Sequence, residues 1–103
     1  MNMRAEKKRR LEAAGWKETT VREFLALSEA DLRYIEMKLA LSRLLRLVRQ
    51  RRRLTQTKAA TLLKTSQSRL ASMEAGDPSV SLDLLVRGLF ALGASSKDLL
   101  KAA

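Results

Sequence analysis

Apolar residues recur at spacings of three and four along most of this chain, which is the pattern of amphipathic α-helices. The longest such stretch contains no Pro or Gly and predicts one helix over residues 29–52, beginning after Ser28. Shorter helices are predicted at 56–63, 67–74 and 82–92, and a last one begins after Ser95 or Ser96. Because few runs of β-branched residues compete with these patterns, the sequence predicts an all-α fold.

Hydroxyl and glycine residues at the ends of these stretches indicate where each helix begins and ends. Thr55, Ser66 and Ser81 stand where a side-chain oxygen can accept a hydrogen bond from a free backbone N–H. Gly76 and Gly93 follow the last apolar residues of two helices, where a left-handed residue commonly ends a helix. The second half of the chain is therefore expected to be a series of short helices joined by tight turns.

The N-terminal part of the chain has weaker helical patterns. Residues 7–14 predict one or two helical turns, and Thr19 or Thr20 predicts a short helix through Phe24. The polar faces of the long helix are mixed in charge before Glu36 and basic after it. We therefore divide the chain into an N-terminal helical extension for dimer or partner contact, 1–40, and a second unit, 41–103, with the long helix crossing the boundary.

The two central short helices have opposite apolar and polar sides. Ala60 is small enough to let helices 56–63 and 67–74 cross closely at a steep angle. The polar side of helix 67–74 carries short groups that suit base edges and phosphates. Apolar side chains that we expect to face the interior are Ala59, Leu62, Leu63, Leu70, Met73, Leu82, Leu85, Val86, Leu89 and Phe90.

Positive charge is concentrated in the same part of the chain. Residues 37–73 contain ten basic and no acidic side chains, and the whole chain has a formal net charge of +10. The remaining residues balance, so the excess charge belongs to the paired short helices and to the end of the helix before them. A localised cationic surface on paired helices indicates a nucleic acid partner.

Composition excludes several functional classes. Neither Cys nor His is present, which removes thiolate chemistry and the commonest general base and metal ligand. The acids Glu74, Asp77 and Asp83 lie near predicted turns and a cap, so we predict no enzyme activity, no metal site and no cofactor. No apolar run is long enough to span a bilayer, and we expect a cytoplasmic protein with no membrane partner.

The second unit closely resembles the Cro and lambda-repressor-like helix-turn-helix family, often called the XRE family. The segments that carry the resemblance are Leu45-Arg46, Val48-Arg49, Leu54-Thr55-Gln56, Ala59-Ala60, Leu62-Leu63, Ser66-Gln67-Ser68, Glu74-Ala75-Gly76, Ser81 to Leu85 and Leu89 to Gly93. The resemblance implies a five-helix lambda-repressor-like domain with an N-terminal helical extension continuous with its first helix. It also implies a sequence-specific DNA-binding transcriptional regulator, most simply a repressor, of bacterial or phage origin.

The same resemblance assigns roles to individual residues. Gln56 would donate to a phosphate, whereas Gln67 would present its amide to a base edge, with adenine as the best geometric match. Ser68 and Arg69 would contact neighbouring bases or phosphates. With the other basic and hydroxyl residues of the motif added, the full set of predicted DNA-binding residues is Arg49, Arg53, Gln56, Lys58, Lys64, Ser66, Gln67, Ser68, Arg69 and Ser72.

Double-stranded DNA is the expected partner, and a second copy of the chain is the next. One helix-turn-helix contacts only a few base pairs, so we expect a homodimer on a palindromic operator. Its interface would use either the N-terminal half of the long helix or the last helices, through Leu92, Leu99 and Leu100. Each of these leucines could equally close the core of the monomer.

Arg53 and Lys64 depart from the family's pattern, because they stand where glycine is usual. If the backbone there is left-handed, each residue costs about 1 kcal/mol relative to glycine. We expect the local turns to be adjusted and the fold to be retained. Both residues also add positive charge to the motif.

A second, weaker resemblance concerns the residues ahead of the motif. They are similar to the corresponding part of small HigA-type antitoxins, which pair with RelE-like ribonuclease toxins and repress their own operons. In that interpretation Trp16, Phe24 and Tyr34 would anchor a RelE-like toxin. Packing of these aromatic residues against the chain's own long helix is an equal alternative.

A structured-RNA-binding protein without catalytic activity is the alternative functional class. It would share the cationic charge, but it would need aromatic platforms for unpaired bases, and residues 54–76 contain no aromatic side chain. A membrane-surface helix is disfavoured because the arginines of the long helix have no neighbouring Trp or Phe.

Overall fold

The computed structural model of the protein describes residues 3–15 and 29–103. Within these ranges the chain forms α-helices that we name α1 (Met3–Ala13), α2 (Glu29–Arg51), α3 (Gln56–Leu62), α4 (Gln67–Ala75), α5 (Leu82–Ala91) and α6 (Ser96–Ala102). The described residues contain no β-strand, and the all-α prediction is confirmed. The predicted short helix through Phe24, together with Trp16, lies outside the described residues.

Hydroxyl caps begin the last four helices. Thr55 and Ser66 accept hydrogen bonds from the backbone N–H groups of Lys58 and Arg69 at 3.1 and 3.0 Å, and Ser81 caps α5 in the same way. Ser95, rather than Ser96, caps α6, because Ser95 and Asp98 form a reciprocal capping box. These caps satisfy backbone donors that would otherwise be free at each helix start.

The turns on either side of α3 are left-handed at non-glycine residues. Arg53 has φ 56° and Lys64 has φ 55°. At each site the backbone N–H of the next residue donates to a carbonyl oxygen in the last turn of the preceding helix. Leu54 N–H donates to the Arg49 oxygen at 3.1 Å, and Thr65 N–H donates to the Ala60 oxygen at 2.9 Å. These bonds close the helix end only if the preceding residue is left-handed. We expected these turns to be adjusted because Arg53 and Lys64 replace glycine, but both residues keep a left-handed backbone, so that expectation is wrong.

The core lies where α2, α4, α5 and α6 meet, and α3 closes it through Ala59 and Ala60. Its fully buried side chains are Leu45, Leu70, Met73, Val80, Leu85, Leu89 and Leu92. Two predictions of interior positions are wrong, because the side chains of Leu62 and Phe90 are 51% and 47% exposed. Leu92 is completely buried, so it belongs to the core and not to a dimer surface.

The N-terminal helix packs on the first half of α2. Leu11 is buried among Ala14, Leu32, Ile35 and Leu39, which form a small apolar cluster separate from the main core. Lys7 also forms an ion pair with Glu36 at 3.0 Å. Because α2 is continuous across residues 40 and 41, the predicted extension shares a helix with the domain that follows it.

Candidate nucleic-acid interface

Helix α4 has one side in the core and one side in solvent. Leu70 and Met73 are buried, whereas Gln67, Ser68 and Arg69 are exposed on the first turn. The helix starts at the surface, where the exposed Ser66 caps it and its hydroxyl accepts the Arg69 N–H. Ser72 continues the polar side one turn further and is half-buried. The short polar residues predicted to contact bases thus share one accessible face.

Two glutamine side chains connect α3 to α4. Gln67 Nε2 donates to Gln56 Oε1 at 2.7 Å, and Gln56 Nε2 donates to Glu74 Oε1 at 3.2 Å. Both glutamines are the first residues of their helices, so the turn between α3 and α4 brings the two helix starts together. Among the described residues, nothing bonds to the second N–H or to the oxygen of the Gln67 amide, and both remain available to a ligand.

Glu74 is the buried end of this chain of hydrogen bonds. Its side chain is 4% exposed and receives two bonds from Arg49, from Nε at 2.6 Å and from Nη2 at 2.9 Å. Arg49 Nη1 donates in addition to the carbonyl oxygen of Leu54 at 2.9 Å. The hydrogen bonds with Glu74 raise the pKa of Arg49 above its ordinary value.

Arg49 is therefore not positioned as the sequence predicted. We expected it to contact DNA, but its guanidinium is occupied by Glu74 and Leu54 and its side chain is only 13% exposed. Its position in the last turn of α2 points it towards the start of α3 and the end of α4. Arg49 is therefore an internal residue that joins the end of α2 to the turn before α3 and to α4.

The remaining predicted cations lie at the surface around α3 and α4. Arg53 follows α2, Lys58 lies in the first turn of α3, Lys64 lies in the turn before α4 and Arg69 lies in the first turn of α4; all four are exposed. None of them has a carboxylate partner among the described ion pairs. Their charges are thus available to an anionic ligand that approaches α3 and the start of α4.

Of the predicted partner contacts, only Tyr34 lies within the described residues. Tyr34 is 46% exposed, and Lys38 Nζ lies 5.8 Å from the centroid of its ring. Burial lowers the pKa of Lys38, whose ammonium also donates to the Pro78 carbonyl at 3.4 Å. Tyr34 therefore does not pack fully against the chain's own helices.

The residue that sequence reasoning missed is Glu74. We considered it only as an acid near a turn, and as part of a segment that resembles the family's helix ending. Its partners Gln56 and Arg49 are 18 and 25 residues earlier in the chain, so no local spacing reveals the contact. The only available signal was an isolated acid after a long basic interval.

An exposed polar helix start, fixed against a preceding helix by a tight turn, defines the class of helix-turn-helix DNA-binding proteins. The model of the helix-turn-helix domain family matches residues 40–103, and this chain belongs to that family. The match supports a DNA-binding regulator of the XRE-like type, in a family that is not catalytic. Neither the curated proteins nor the solved structures give a significant match. The described helices include none that is long and apolar enough to cross a membrane.

Proposed function

We propose that the protein is a sequence-specific transcriptional regulator, most simply a repressor, that inserts the first turn of α4 into the major groove of double-stranded DNA. The observation that carries this proposal is the exposed face of Gln67, Ser68 and Arg69 on a helix whose opposite face is fully buried. A B-DNA major groove admits an α-helix, and its base edges present the donors and acceptors that such side chains recognise.

In this proposal Gln67 reads a base and Gln56 fixes the height of the motif over the duplex. The free N–H and oxygen of the Gln67 amide match N7 and N6 of adenine, which accept and donate respectively. Gln56 has one N–H left after its bond to Glu74, and this N–H is available to a phosphate oxygen. Ser66, Ser68 and Ser72 supply short polar contacts beside Gln67.

Arg53, Lys58, Lys64 and Arg69 would contact phosphates or neighbouring bases. Phosphate contacts give affinity and register but carry no sequence information directly. Arg49 is left out of this set because its guanidinium is bound inside the protein.

A homodimer would give the motif useful affinity. Two copies on a palindromic site place their recognition helices about 34 Å apart, one turn of the duplex. Of the leucines considered for this contact, Leu100 is 79% exposed, and Phe90 on α5 is 47% exposed. We infer that the dimer contact uses these exposed apolar side chains of α5 and α6.

An antitoxin role is a second, narrower proposal. It is favoured by the half-exposed ring of Tyr34, which lies on α2 ahead of the matched domain. Coexpression with the neighbouring reading frame tests it. A stable complex that is lost in Tyr34→Ala supports the role, and absence of any complex with the unchanged protein defeats it.

Selection from a library of randomised duplex DNA tests the main proposal. The protein should enrich one sequence with two-fold symmetry, and a single-stranded or double-stranded RNA competitor should not displace that duplex at matched salt. Failure to enrich any sequence, with retained binding to structured RNA, would instead support the RNA-binding class.

A further inference from the structure

Glu74 holds the fixed end of a hydrogen-bonded chain that leads to the proposed reading residue. The chain runs from Arg49 through Glu74 and Gln56 to Gln67. We propose that Glu74 is a positioning residue for DNA recognition: it sets the polarity of both glutamine amides and therefore the order of donor and acceptor that Gln67 presents. This inference rests on the proposed function and adds a specificity determinant that does not touch DNA.

The carboxylate of Glu74 sets the direction of the hydrogen bonds in this series. An ionised carboxylate accepts hydrogen bonds and donates none, so a glutamine beside it must turn its NH₂ group inward. Gln56 does so at 3.2 Å from Glu74 Oε1. With Nε2 directed at Glu74, the oxygen of Gln56 is directed away from it, towards the start of α4.

The next step transfers this polarity to α4. Gln56 Oε1 can only accept, so Gln67 must direct its own NH₂ group towards it, and the two atoms are 2.7 Å apart. Of the three hydrogen-bonding groups of the Gln67 amide, one N–H is thus used within the protein. The other N–H and the oxygen are left in a fixed order along the outer edge of the amide.

That order decides which base edge Gln67 can match. Adenine presents N7 as an acceptor and the N6 amino group as a donor, and a correctly ordered amide bonds to both. An amide turned by half a rotation about its last side-chain bond would place donor against donor and acceptor against acceptor. Glu74 can hold the order because Arg49 binds both of its oxygens and because its side chain is 4% exposed.

Two variants remove the orienting carboxylate in different ways. Arg49→Met/Glu74→Met replaces the ion pair by apolar side chains of similar length, so no single charge is left buried. Glu74→Gln keeps the shape of the side chain but offers a donor as well as an acceptor, so Gln56 can take either orientation. Asp83→Met/Arg87→Met is the matched control, because it removes an exposed ion pair with an N–O distance of 3.0 Å on α5.

The probe is a pair of synthetic duplexes that differ at one base pair. To choose that base pair, sequences are first selected from randomised duplex DNA by the wild-type protein and by Gln67→Ala. The base pair tested is the position at which the two selected sequences differ. The measured quantity is the ratio of the two dissociation constants, in which any loss of folded protein cancels. Thermal unfolding of each variant establishes that a folded population is present.

We expect the wild type and the control to discriminate between the two duplexes by about tenfold or more. In both Glu74 variants the ratio of the two dissociation constants should fall most of the way to one. When either variant is combined with Gln67→Ala, the ratio should equal that of Gln67→Ala alone. Wild-type discrimination in either folded Glu74 variant would overturn the inference while leaving the proposed function intact. A wild-type protein that selects no duplex sequence would instead remove the proposed function itself.

Discussion

Among single residues, Arg53 and Lys64 are unexpected, because both have a left-handed backbone at which glycine would be more stable. This conformation destabilises a residue that has a Cβ by about 1 kcal/mol or more, because the Cβ lies too close to the following carbonyl oxygen, and glycine has no Cβ. Their φ values are 56° and 55°, and both side chains are exposed, so packing does not compensate. A cationic side chain beside the proposed DNA surface offers a reason for retaining them.

Glycine at these two positions should make the protein more stable. We predict that Arg53→Gly and Lys64→Gly each raise the free energy of unfolding by about 0.5 to 1 kcal/mol, because the left-handed strain is relieved. Urea unfolding followed by circular dichroism measures the change. Arg53→Gln and Lys64→Gln are the controls, since they remove the charge and keep the Cβ. Equal stability of the Gly and Gln variants would show that the backbone is not strained.

At the scale of helices, the sequence predicts what depends on neighbouring residues. Thr55, Ser66 and Ser81 are predictable as caps because a cap oxygen and the backbone N–H that donates to it lie three residues apart. Periodicity identified the apolar face of α5 but not its width, and Phe90 at the edge of that face is exposed. The connection between α2 and α4 through Arg49 could not be predicted, because it depends on tertiary packing.

The end of α4 provides a test of how tightly this helix packs on α2. Gly76 has φ +76°, and a Cβ built there would lie 2.8 Å from Leu39 Cδ2, whereas a Cβ on Gly93, at φ +95°, would meet Arg52 Nη1 at an ordinary 3.5 Å. We predict that Gly93→Ala lowers the free energy of unfolding by about 1 kcal/mol through backbone strain alone. Gly76→Ala should lower it by about 2 kcal/mol or more, since crowding of Leu39 is added.

Thermal unfolding of the two glycine variants should be repeated in a Leu39→Ala background. Removing the Leu39 methyl groups should abolish the additional loss at Gly76 and leave the loss at Gly93 unchanged. If the two alanine variants lose the same stability in the unchanged chain, the close approach of α4 to Leu39 is not as described.

At the scale of the whole molecule, the important feature is the separation of charge along the chain. Ten basic side chains and no acidic one lie in residues 37–73, which contain the second part of α2, all of α3 and most of α4. Only Arg49 of these cations is withdrawn into a buried ion pair among the described contacts. Arg53, Lys58, Lys64 and Arg69 are exposed in or next to α3 and α4, so binding of this motif to DNA should release counterions.

Affinity for a duplex should therefore fall steeply with salt. We predict that Lys58→Gln reduces the slope of log affinity against log salt concentration by about 1, because one phosphate contact is lost. Arg87→Gln should leave the slope unchanged, because Arg87 lies on α5 and pairs with Asp83. Fluorescence anisotropy at several salt concentrations gives both slopes. A wild-type slope near zero would be incompatible with phosphate binding by this surface.

If the exposed amide of Gln67 reads a base, removing it should weaken binding to the selected sequence and leave binding to other sequences nearly unchanged. Dissociation constants are measured for the selected duplex and for a scrambled duplex, using wild type, Gln67→Ala and Gln50→Ala, an exposed glutamine of α2 outside the motif. We predict that Gln67→Ala weakens binding to the selected duplex by about 1 to 3 kcal/mol and barely changes binding to the scrambled one, while Gln50→Ala changes neither. Equal weakening on both duplexes, or no weakening on the selected one, would contradict the claim.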